Sequence, residues 1–279
     1  MRVGVVQICS SADAWANLAL VSAFIQEAES AGCDLICFPE NLFYRGPRSQ
    51  LDFGTVLEIQ DQKIKITHDF SRELAAVLNE TKLAVSFGSV LEKSNDANRP
   101  YNSHWLIGFD KTIVSYKKIH LFSFKGTDGR YEESEDVTEG KSIESVRVLD
   151  FNLGLSICYD LRFPELYRQL SIDRQTTVLL VPAAFTLETG AAHWHTLLRA
   201  RAVENLSFVI AAAQWGGHQN NEGKSMSCYG HALVYDPWGQ LLAEGPEKGE
   251  ALLVVNLERE EVNRRRNQLP VFNSVRPII

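Results

Sequence analysis

The chain has 279 residues, of which 45% are hydrophobic and 23% are charged, and its formal net charge at pH 7 is -7. This composition is typical of a globular protein with a large core and excludes an intrinsically disordered chain. The acidic balance makes nucleic acid a poor partner, because nucleic-acid binding depends chiefly on Lys and Arg residues that neutralise phosphates.

The first third of the chain alternates strands and helices. Hydrophobic periodicity predicts, in order, a strand at residues 3–8, a helix at 14–31, a strand at 34–38, a helix near 68–81 and a strand at 83–91. The first helix is expected to stop at Gly32, because glycine commonly terminates helices. This βαβα order is typical of α/β folds.

The rest of the chain adds a pair of strands and then returns to the same rhythm. Residues 102–109 and 111–117 predict two strands that pair around a turn at Asp110, and a polar, acidic stretch follows at 125–141. The remaining predicted elements are strand 153–157, a helix from Pro164, strand 178–181, helix 195–205, strand 208–213, a hairpin of 232–235 and 240–242, and strand 251–256.

The domain organisation is predicted to be simple. The sequence contains neither a 20- to 50-residue repeat nor a Gly/Ser-rich linker. We therefore expect one domain over residues 1–279, an α/β fold with helices outside two central sheets. The segment from about 257 to 279 is expected to be a tail that packs on the domain or on a dimer partner.

One basic run interrupts the acidic sequence near the end of the chain. Acidic residues precede it at distances that suit helical ion pairs: Glu258, Glu260 and Glu261 come before Arg264, Arg265 and Arg266. We interpret the run as the solvated face of a helix and assign it no ligand.

The opening residues and the cysteines bear on the compartment. The first strand lacks the apolar stretch and cleavage site of a signal peptide, and no later run has the length of a membrane-spanning helix. The five cysteines include no CxxC pair, which indicates neither a disulfide framework nor a zinc site. We expect a cytoplasmic protein without membrane, metal or cofactor.

Three polar residues each follow an apolar strand, and strand ends are where α/β folds build their sites. Glu40 follows LICFP, Lys118 follows the strand that closes at Tyr116, and Cys158 follows LSI. Taken singly, the glutamate could cap a helix, the lysine could lie on the surface, and the cysteine could be a small core residue.

Together the three residues supply the parts of a thiol-dependent reaction. A thiol needs a base to form the thiolate, and a neighbouring ammonium stabilises that thiolate and polarises a substrate carbonyl. We therefore expect the Cys158 thiol to be partly ionised beside Lys118. A Cys-His pair is the competing arrangement, although none of the seven histidines lies in a papain-like or caspase-like motif.

The motifs around these residues carry a family resemblance. FPE at 38–40, YKKIHLF at 116–122 and CYDLRFPE at 158–165 resemble the three catalytic blocks of the nitrilase superfamily in order and spacing. The resemblance extends over essentially the whole chain, since HWH at 193–195, LRARA at 198–202, DPWG at 236–239 and LPVF at 269–272 also resemble family segments.

The resemblance implies an αββα sandwich that pairs into a homodimer or a larger homo-oligomer, and a Glu-Lys-Cys triad that forms a thioester with an amide carbon. Carried over to this chain, Glu40 is the general base, Lys118 stabilises the oxyanion and Cys158 attacks. The family's second glutamate falls at Glu133, where it would hold Lys118, with Glu132 as the less favoured neighbour.

Three further positions in or near the third block have proposed roles. The backbone amide of Tyr159 can join Lys118 as an oxyanion donor, since it follows the nucleophile. Arg162 offers a bidentate fork for a substrate carboxylate, with a structural role as the alternative. Asp160 is expected to cap the helix entered at Pro164, and the HWH segment to be the packed start of a helix.

The substrate is predicted to be a small carboxylate-bearing amide. Segments including 160–165, AAAQ at 211–214 and YGH at 229–231 most resemble the deaminated glutathione amidase branch. The alternatives are an ω-amidase acting on α-ketoglutaramate or α-ketosuccinamate, and another amidase or carbamoylase of the superfamily. Asn41 departs from the branch's usual small residue, which leaves the exact substrate open. Nitriles are disfavoured, because typical nitrilases carry Trp and Glu where this chain has Tyr159 and Asp160.

Two hypotheses from other classes remain. The chain could be a non-catalytic interaction protein that keeps the fold, although such proteins commonly lose a triad residue and this one has all three. It could also be an acyltransferase, in which an amine takes the acyl group from Cys158. The triad alone does not distinguish transfer from hydrolysis.

Overall fold

The computed structural model describes residues 1–52, 55–96, 98–126, 129–219 and 225–276. Its strands are β1 (Arg2–Ile8), β2 (Leu35–Phe38), β3 (Ile59–Gln60), β4 (Lys63–Ile64), β5 (Ala84–Glu92), β6 (Tyr101–Ile107), β7 (Ile113–Lys117), β8 (Ser123–Gly126), β9 (Gly129–Glu132), β10 (Ser145–Val148), β11 (Phe151–Leu155), β12 (Val178–Leu180), β13 (Phe208–Ala211), β14 (Ala213–Gln219), β15 (Ser225–Tyr229), β16 (Leu233–Tyr235), β17 (Leu241–Glu244) and β18 (Ala251–Asn256).

The helices begin and end at local capping signals. They are α1 (Ala14–Ser30), α2 (Asp69–Glu80), α3 (Pro164–Asp173), α4 (Leu187–Asn205) and α5 (Arg259–Gln268), with a short 3-10 helix at Cys158–Arg162. The Asp13 carboxylate accepts hydrogen bonds from two amides at the start of α1, and Gly32 follows the helix with φ +70°. Within the described residues, no helix is both long and apolar enough to cross a membrane.

The first sheet has eight strands in the order β15-β14-β1-β2-β5-β6-β7, with β18 also paired to β1. Strands β14, β1, β2 and β5 run parallel to one another, and β6 and β7 continue the sheet antiparallel. Every residue of the parallel strand β2 is buried, as expected for a sheet that is covered on both faces.

The second sheet has six strands in the order β10-β11-β12-β13-β16-β17. Its three central strands β11, β12 and β13 run parallel. The hairpin of β16 and β17 turns at Asp236, whose carboxylate accepts hydrogen bonds from the amides of Trp238 and Gln240, both at 2.8 Å.

The two sheets pack face to face with helices outside. Alternate residues of β1 divide between two cores: Val3 and Val5 pack toward the second sheet, whereas Val6 and Ile8 pack with α1 and α2. Helices α3 and α4 cover the outer face of the second sheet. The predicted αββα sandwich is therefore confirmed.

Two element boundaries differ from the prediction. Helix α4 begins at Leu187 rather than at residue 195, because Thr186 caps it and Gly190 lies within it. A Cβ at position 190 would come within 2.3 Å of Tyr229, so the glycine allows close packing and does not break the helix. The strand predicted at 208–213 ends at Ala211, and the chain then crosses to the first sheet as β14.

The basic run near the end of α5 is solvated at Arg264, but Arg265 and Arg266 are partly buried, so the predicted solvated face was wrong for those two residues. Arg264 and Arg265 pair with Glu261, as the spacing predicted. Arg266 instead donates to the carbonyl oxygen of Thr176 at 2.6 Å and to the Ser207 hydroxyl at 2.9 Å. This arginine therefore ties α5 to the loops that flank the second sheet.

Candidate active site

The structure brings Glu40, Lys118 and Cys158 together where strands of the two sheets end. Glu40 follows β2, Lys118 directly follows β7, and Cys158 follows β11. The Gln214 side chain donates to the backbone oxygen of Glu40 at 2.9 Å and so fixes the loop that carries it. Side chains from three strand ends thus converge on one point, which lies between the sheets.

Gly88 allows the loops after β2 and β12 to touch. A Cβ at this position would lie 2.1 Å from the carbonyl oxygen of Phe38 and 2.2 Å from Pro182. The carbonyl oxygen of Pro182 accepts the amide of Cys158 at 2.8 Å. The close approach therefore places the glutamate loop beside the nucleophile candidate.

Cys158 occupies a sharp turn from a strand into a 3-10 helix. Its φ is +46°, in the left-handed region that non-glycine residues rarely adopt, and such strain is held where surrounding contacts enforce it. Here the buried Asp160 carboxylate accepts the amide of Ile157 at 2.8 Å and the Tyr116 hydroxyl at 2.7 Å. We expected Asp160 to cap the helix entered at Pro164, but it caps this 3-10 turn instead.

A buried cluster of two carboxylates surrounds the Lys118 ammonium. The Lys118 Nζ atom lies 2.8 Å from Glu40 Oε1 and 2.8 Å from Glu133 Oε2, and all three side chains are buried. Glu133 also accepts the amide of Phe122 at 2.7 Å, whereas Glu132 accepts from the Ser123 hydroxyl. Of the two candidate glutamates, Glu133 is the one that meets the lysine.

Asn102 is a member of this cluster that the sequence analysis missed. Its Nδ2 donates to Glu40 Oε1 at 3.2 Å and to Glu133 Oε1 at 3.0 Å, and it is buried. A signal existed, since a hairpin centred on Asp110 places residue 102 opposite Lys118, as the pairing of β6 with β7 does. The asparagine therefore bridges the two carboxylates from the neighbouring strand.

Charge and burial fix the protonation of Lys118. Burial by itself lowers the pKa of Lys118, but the carboxylates of Glu133 and Glu40 more than offset this effect and hold that pKa well above its usual range. The ammonium is thus charged at neutral pH and cannot accept a proton from the thiol.

The pKa of the Cys158 thiol is shifted in the opposite direction from the one we expected. Burial, followed by the charge of Glu40, raises the pKa of Cys158 well above its usual range, and the opposing effect of Lys118 is smaller. The expectation of a partly ionised thiol was therefore wrong, because burial and the nearby carboxylate together outweigh the ammonium. The thiol instead hydrogen-bonds to Glu40, the group positioned to take its proton.

This raised pKa predicts the pH dependence of alkylation. Only the thiolate reacts with iodoacetamide, so the labelling rate of Cys158 should rise about tenfold per pH unit and reach no plateau below about pH 8.5, the ordinary thiol pKa. The measurement is peptide-mapped labelling, with N-acetylcysteine as the reference thiol. A rate already constant near pH 7 would contradict the protonated resting thiol.

Two histidines near Cys158 make contacts with other groups. Buried His104 contacts the carbonyl oxygen of Ser156 through Nδ1 at 2.9 Å and the Ser86 hydroxyl through Nε2, and burial lowers the pKa of His104 to about 4. The ring of His120 stacks on Phe163 and contacts Asp160. These contacts disfavour the Cys-His alternative.

Arg162 projects into an aromatic setting beside the nucleophile turn. Its guanidinium lies 5.2 Å from the ring centre of Phe185 and 5.8 Å from that of Tyr159, and it contacts His193 Nδ1 at 3.2 Å. In the part of the chain that the structure describes, no carboxylate forms an ion pair with it. The Tyr159 amide lies in the first turn of the 3-10 helix, where amides lack acceptors within the helix.

A separate cluster could hold a metal ion. His195 Nε2 and His231 Nδ1 lie 2.9 Å and 2.7 Å from the same oxygen of Glu244, Oε1. The cluster is built by α4 and the β16–β17 hairpin, not by the strand ends that carry the candidate triad. His195 and the rest of the HWH segment lie well inside α4, which begins at Leu187, so the segment is not the start of that helix.

Comparison with known proteins shows which family the chain resembles in sequence. Residues 2–267 match the carbon-nitrogen hydrolase family. The chain is 37% identical to the deaminated glutathione amidase of Dictyostelium discoideum, over 98% of this chain and 92% of that protein. It is 32% identical to omega-amidase NIT2 of Bos taurus, over 99% of this chain and 95% of that protein.

A solved structure extends the similarity to three dimensions. The crystal structure of Saccharomyces cerevisiae Nit3, a member of branch 10 of the nitrilase superfamily, superposes with a TM-score of 0.80 at 29% identity. The superposition covers 97% of this chain and 94% of that one. The resemblance to the nitrilase superfamily is thereby confirmed, and the chain belongs to the carbon-nitrogen hydrolase family.

Proposed function

We propose that the chain is an amidase that cleaves a small carboxylate-bearing amide through a thioester on Cys158. The observation that carries the proposal is the convergence of a thiol, a carboxylate and a buried ammonium at one point. In this proposal Glu40, Lys118 and Cys158 are catalytic, and Glu133 and Asn102 hold the lysine and the glutamate in position.

The first half of the reaction transfers the acyl group to sulfur. Glu40 takes the Cys158 proton, the thiolate attacks the amide carbon, and the carbonyl oxygen becomes an oxyanion. The Lys118 charge and the Tyr159 amide stabilise that oxyanion, and one such donor is commonly worth about 3 kcal/mol. Glu40 then returns the proton to the leaving amine as the C–N bond breaks.

The second half releases the acid. Glu40 takes a proton from water, the resulting hydroxide attacks the thioester carbon, and the same two groups stabilise the second oxyanion. The C–S bond breaks and the thiolate regains its proton from Glu40. Glu40 and Cys158 thus account for every proton and acyl transfer in both steps, and neither step needs a cofactor.

Arg162 is our candidate for binding the substrate carboxylate. A guanidinium without an acidic partner favours an anionic ligand, because it offers two parallel donors to a carboxylate. Its position four residues after the nucleophile, against the rings of Tyr159 and Phe185, supports this role.

The relatives favour deaminated glutathione as the substrate, with α-ketoglutaramate or α-ketosuccinamate as the alternative. We expect kcat/KM for deaminated glutathione to exceed that for free α-ketoglutaramate, because the remote peptide part adds binding energy usable in the transition state. Both amides are assayed on one preparation, with a nitrile and an N-carbamoyl amino acid as controls. The reverse ranking would assign the chain to the ω-amidases.

Hydrolysis and acyl transfer are distinguished by competition. When the acyl-enzyme meets a primary amine in water, the proposed hydrolase yields mostly free acid. Quantitative formation of the new amide would instead identify an acyltransferase.

We further propose that residues 1–279 work as one unit in a cytoplasmic homodimer. All five cysteines are free thiols, which suits a reducing compartment. Within the tail, Leu257 and Val262 are buried in the main core.

Exposed apolar side chains on α3, α4 and the β16–β17 turn offer a subunit face: Ile172, Leu187, Val203 and Trp238. Sedimentation equilibrium tests the dimer.

A further inference from the structure

Arg45 is a buried cation beside a cavity outside the candidate triad. It lies on the loop after Glu40, is only 5% exposed, and borders a cavity of about 260 Å³. Ser10, Ser11 and Gln50 also line this cavity. The volume is below the range of about 300–1,000 Å³ that holds a whole small-molecule ligand, so it suits one end of a substrate.

Within the described part of the chain, the hydrogen-bond partners of Arg45 are all uncharged. Its guanidinium lies 2.7 Å from His218 Nδ1, 2.6 Å from Cys228 Sγ and 3.4 Å from the carbonyl oxygen of Trp215. Burial and the Arg45 charge lower the pKa of His218 to about 4, and burial raises the pKa of Cys228 to about 11. Both groups are therefore neutral at pH 7.

Among the residues that the structure describes, the immediate surroundings of Arg45 thus contain no counterion. Among the described residues, Glu40 and Glu250 are felt at longer range by the neighbouring thiols of Cys228 and Cys9, but neither forms an ion pair with Arg45. A buried charge is costly unless an opposite charge or strong hydrogen bonds accompany it. The cavity beside it therefore favours an anion.

This cavity is connected to the candidate active site by one short segment. The Ala184 amide donates to Glu40 Oε2 at 3.1 Å, the Phe185 ring lies under the Arg162 guanidinium, and Thr186 is bridged to Cys228. Arg162 thus contacts this segment directly, whereas Arg45 is linked to it through Cys228.

We propose that Arg45 and its cavity form a second carboxylate subsite, so that the enzyme selects amides with a carboxylate on each side of the scissile bond. This inference rests on the proposed amidase function. Arg162 binds the carboxylate of one half of the substrate, and Arg45 binds that of the other half. Deaminated glutathione has this dianionic form, whereas α-ketoglutaramate carries one carboxylate.

The kinetic test compares deaminated glutathione with the same compound whose glycine carboxylate is converted to a carboxamide. A charged hydrogen bond contributes about 1.5–3 kcal/mol, so wild-type kcat/KM should favour the acid about 10- to 100-fold. In Arg45→Met this ratio should fall to about 1, and in Arg45→Lys it should be intermediate. The control Arg72→Met, which removes an exposed charge on α2, should keep the wild-type ratio. A wild-type ratio near 1 would overturn the subsite.

A binding test on the wild-type protein does not depend on turnover or on the folding of a variant. N-acetylglycine should shift the NMR signals of the His218 imidazole in a saturable way, and neutral N-acetylglycinamide should not. No shift with the acid would refute the subsite. If the acid shifts these signals but the protein hydrolyses neither deaminated glutathione nor its carboxamide, the result would support the subsite and contradict the proposed function.

Discussion

Replacing Cys158 with Ala is expected to lower kcat/KM by more than about 10³-fold, because the nucleophile is lost and only binding and oxyanion stabilisation remain. The free energy of unfolding should change by less than about 1.5 kcal/mol. Both residues carry a Cβ at the same left-handed φ, so the backbone strain is retained. Steady-state kinetics and urea unfolding measure the two effects on one preparation.

Two further variants sharpen this result. Cys158→Ser should also be nearly inactive, since a carboxylate that suffices for a thiol is too weak a base for a hydroxyl. Cys33→Ala, which alters a buried cysteine in the α1 core, should keep wild-type turnover. More than a few per cent of wild-type activity in Cys158→Ala would refute the mechanism.

Replacing Lys118 with Met is expected to have the largest combined effect on activity and stability. The change removes the oxyanion-stabilising charge, which should lower kcat by about 10²- to 10³-fold. It also leaves Glu40 and Glu133 buried without their shared cation, and breaking a buried pair costs about 3–5 kcal/mol. Urea unfolding and kcat are measured together.

The neighbouring residue provides a matched control. Lys117 undergoes the same chemical change in Lys117→Met, but its ammonium lies 3.6 Å from Glu92 at a half-exposed position. The Glu92 carboxylate keeps its hydrogen bonds from Trp105 Nε1 and the Ser115 hydroxyl, so this variant should lose much less stability than Lys118→Met and stay nearly as active as wild type. Equal losses in both variants would contradict the assigned role of Lys118.

Much of the fold followed from hydrophobic periodicity. The strand at residues 3–8, the helix at 14–31 and the hairpin around Asp110 matched β1, α1 and the β6–β7 pair closely. The periodicity did not show which sheet a strand joins. Ala212 separates two strands of different sheets within one apolar run, and only tertiary pairing distinguishes them.

Most members of the candidate site, though not Asn102, could be predicted from the sequence, but the protonation of its thiol could not. Strand ends and motif spacing named Glu40, Lys118, Cys158 and Glu133, and the structure brings them into contact. The protonation of the thiol depends on how deeply it is buried and on whether the carboxylate or the ammonium acts on it more strongly. That balance is a matter of three-dimensional distance and burial, so the sequence could not decide it.

Arg45 shows a second limit of sequence reasoning. In the sequence it is one arginine in a loop, where solvent exposure is the usual expectation for that residue type. Its burial results from residues far along the chain, Trp215, His218 and Cys228, which β14 and β15 bring against the loop. Such a long-range environment leaves no local pattern.

The central claim is that an acyl group passes through Cys158, and trapping that intermediate tests it most directly. An anilide of the acyl half has a better leaving group, so acylation is accelerated and the thioester should accumulate. After acid quenching, intact-mass and peptide-mass spectrometry should show one acyl group on the Cys158 peptide, removable by hydroxylamine and absent in Cys158→Ala. The account would be contradicted if product formed while the acyl group was found on another residue. It would also be contradicted if Cys158→Ala carried as much of the acyl group as the wild type.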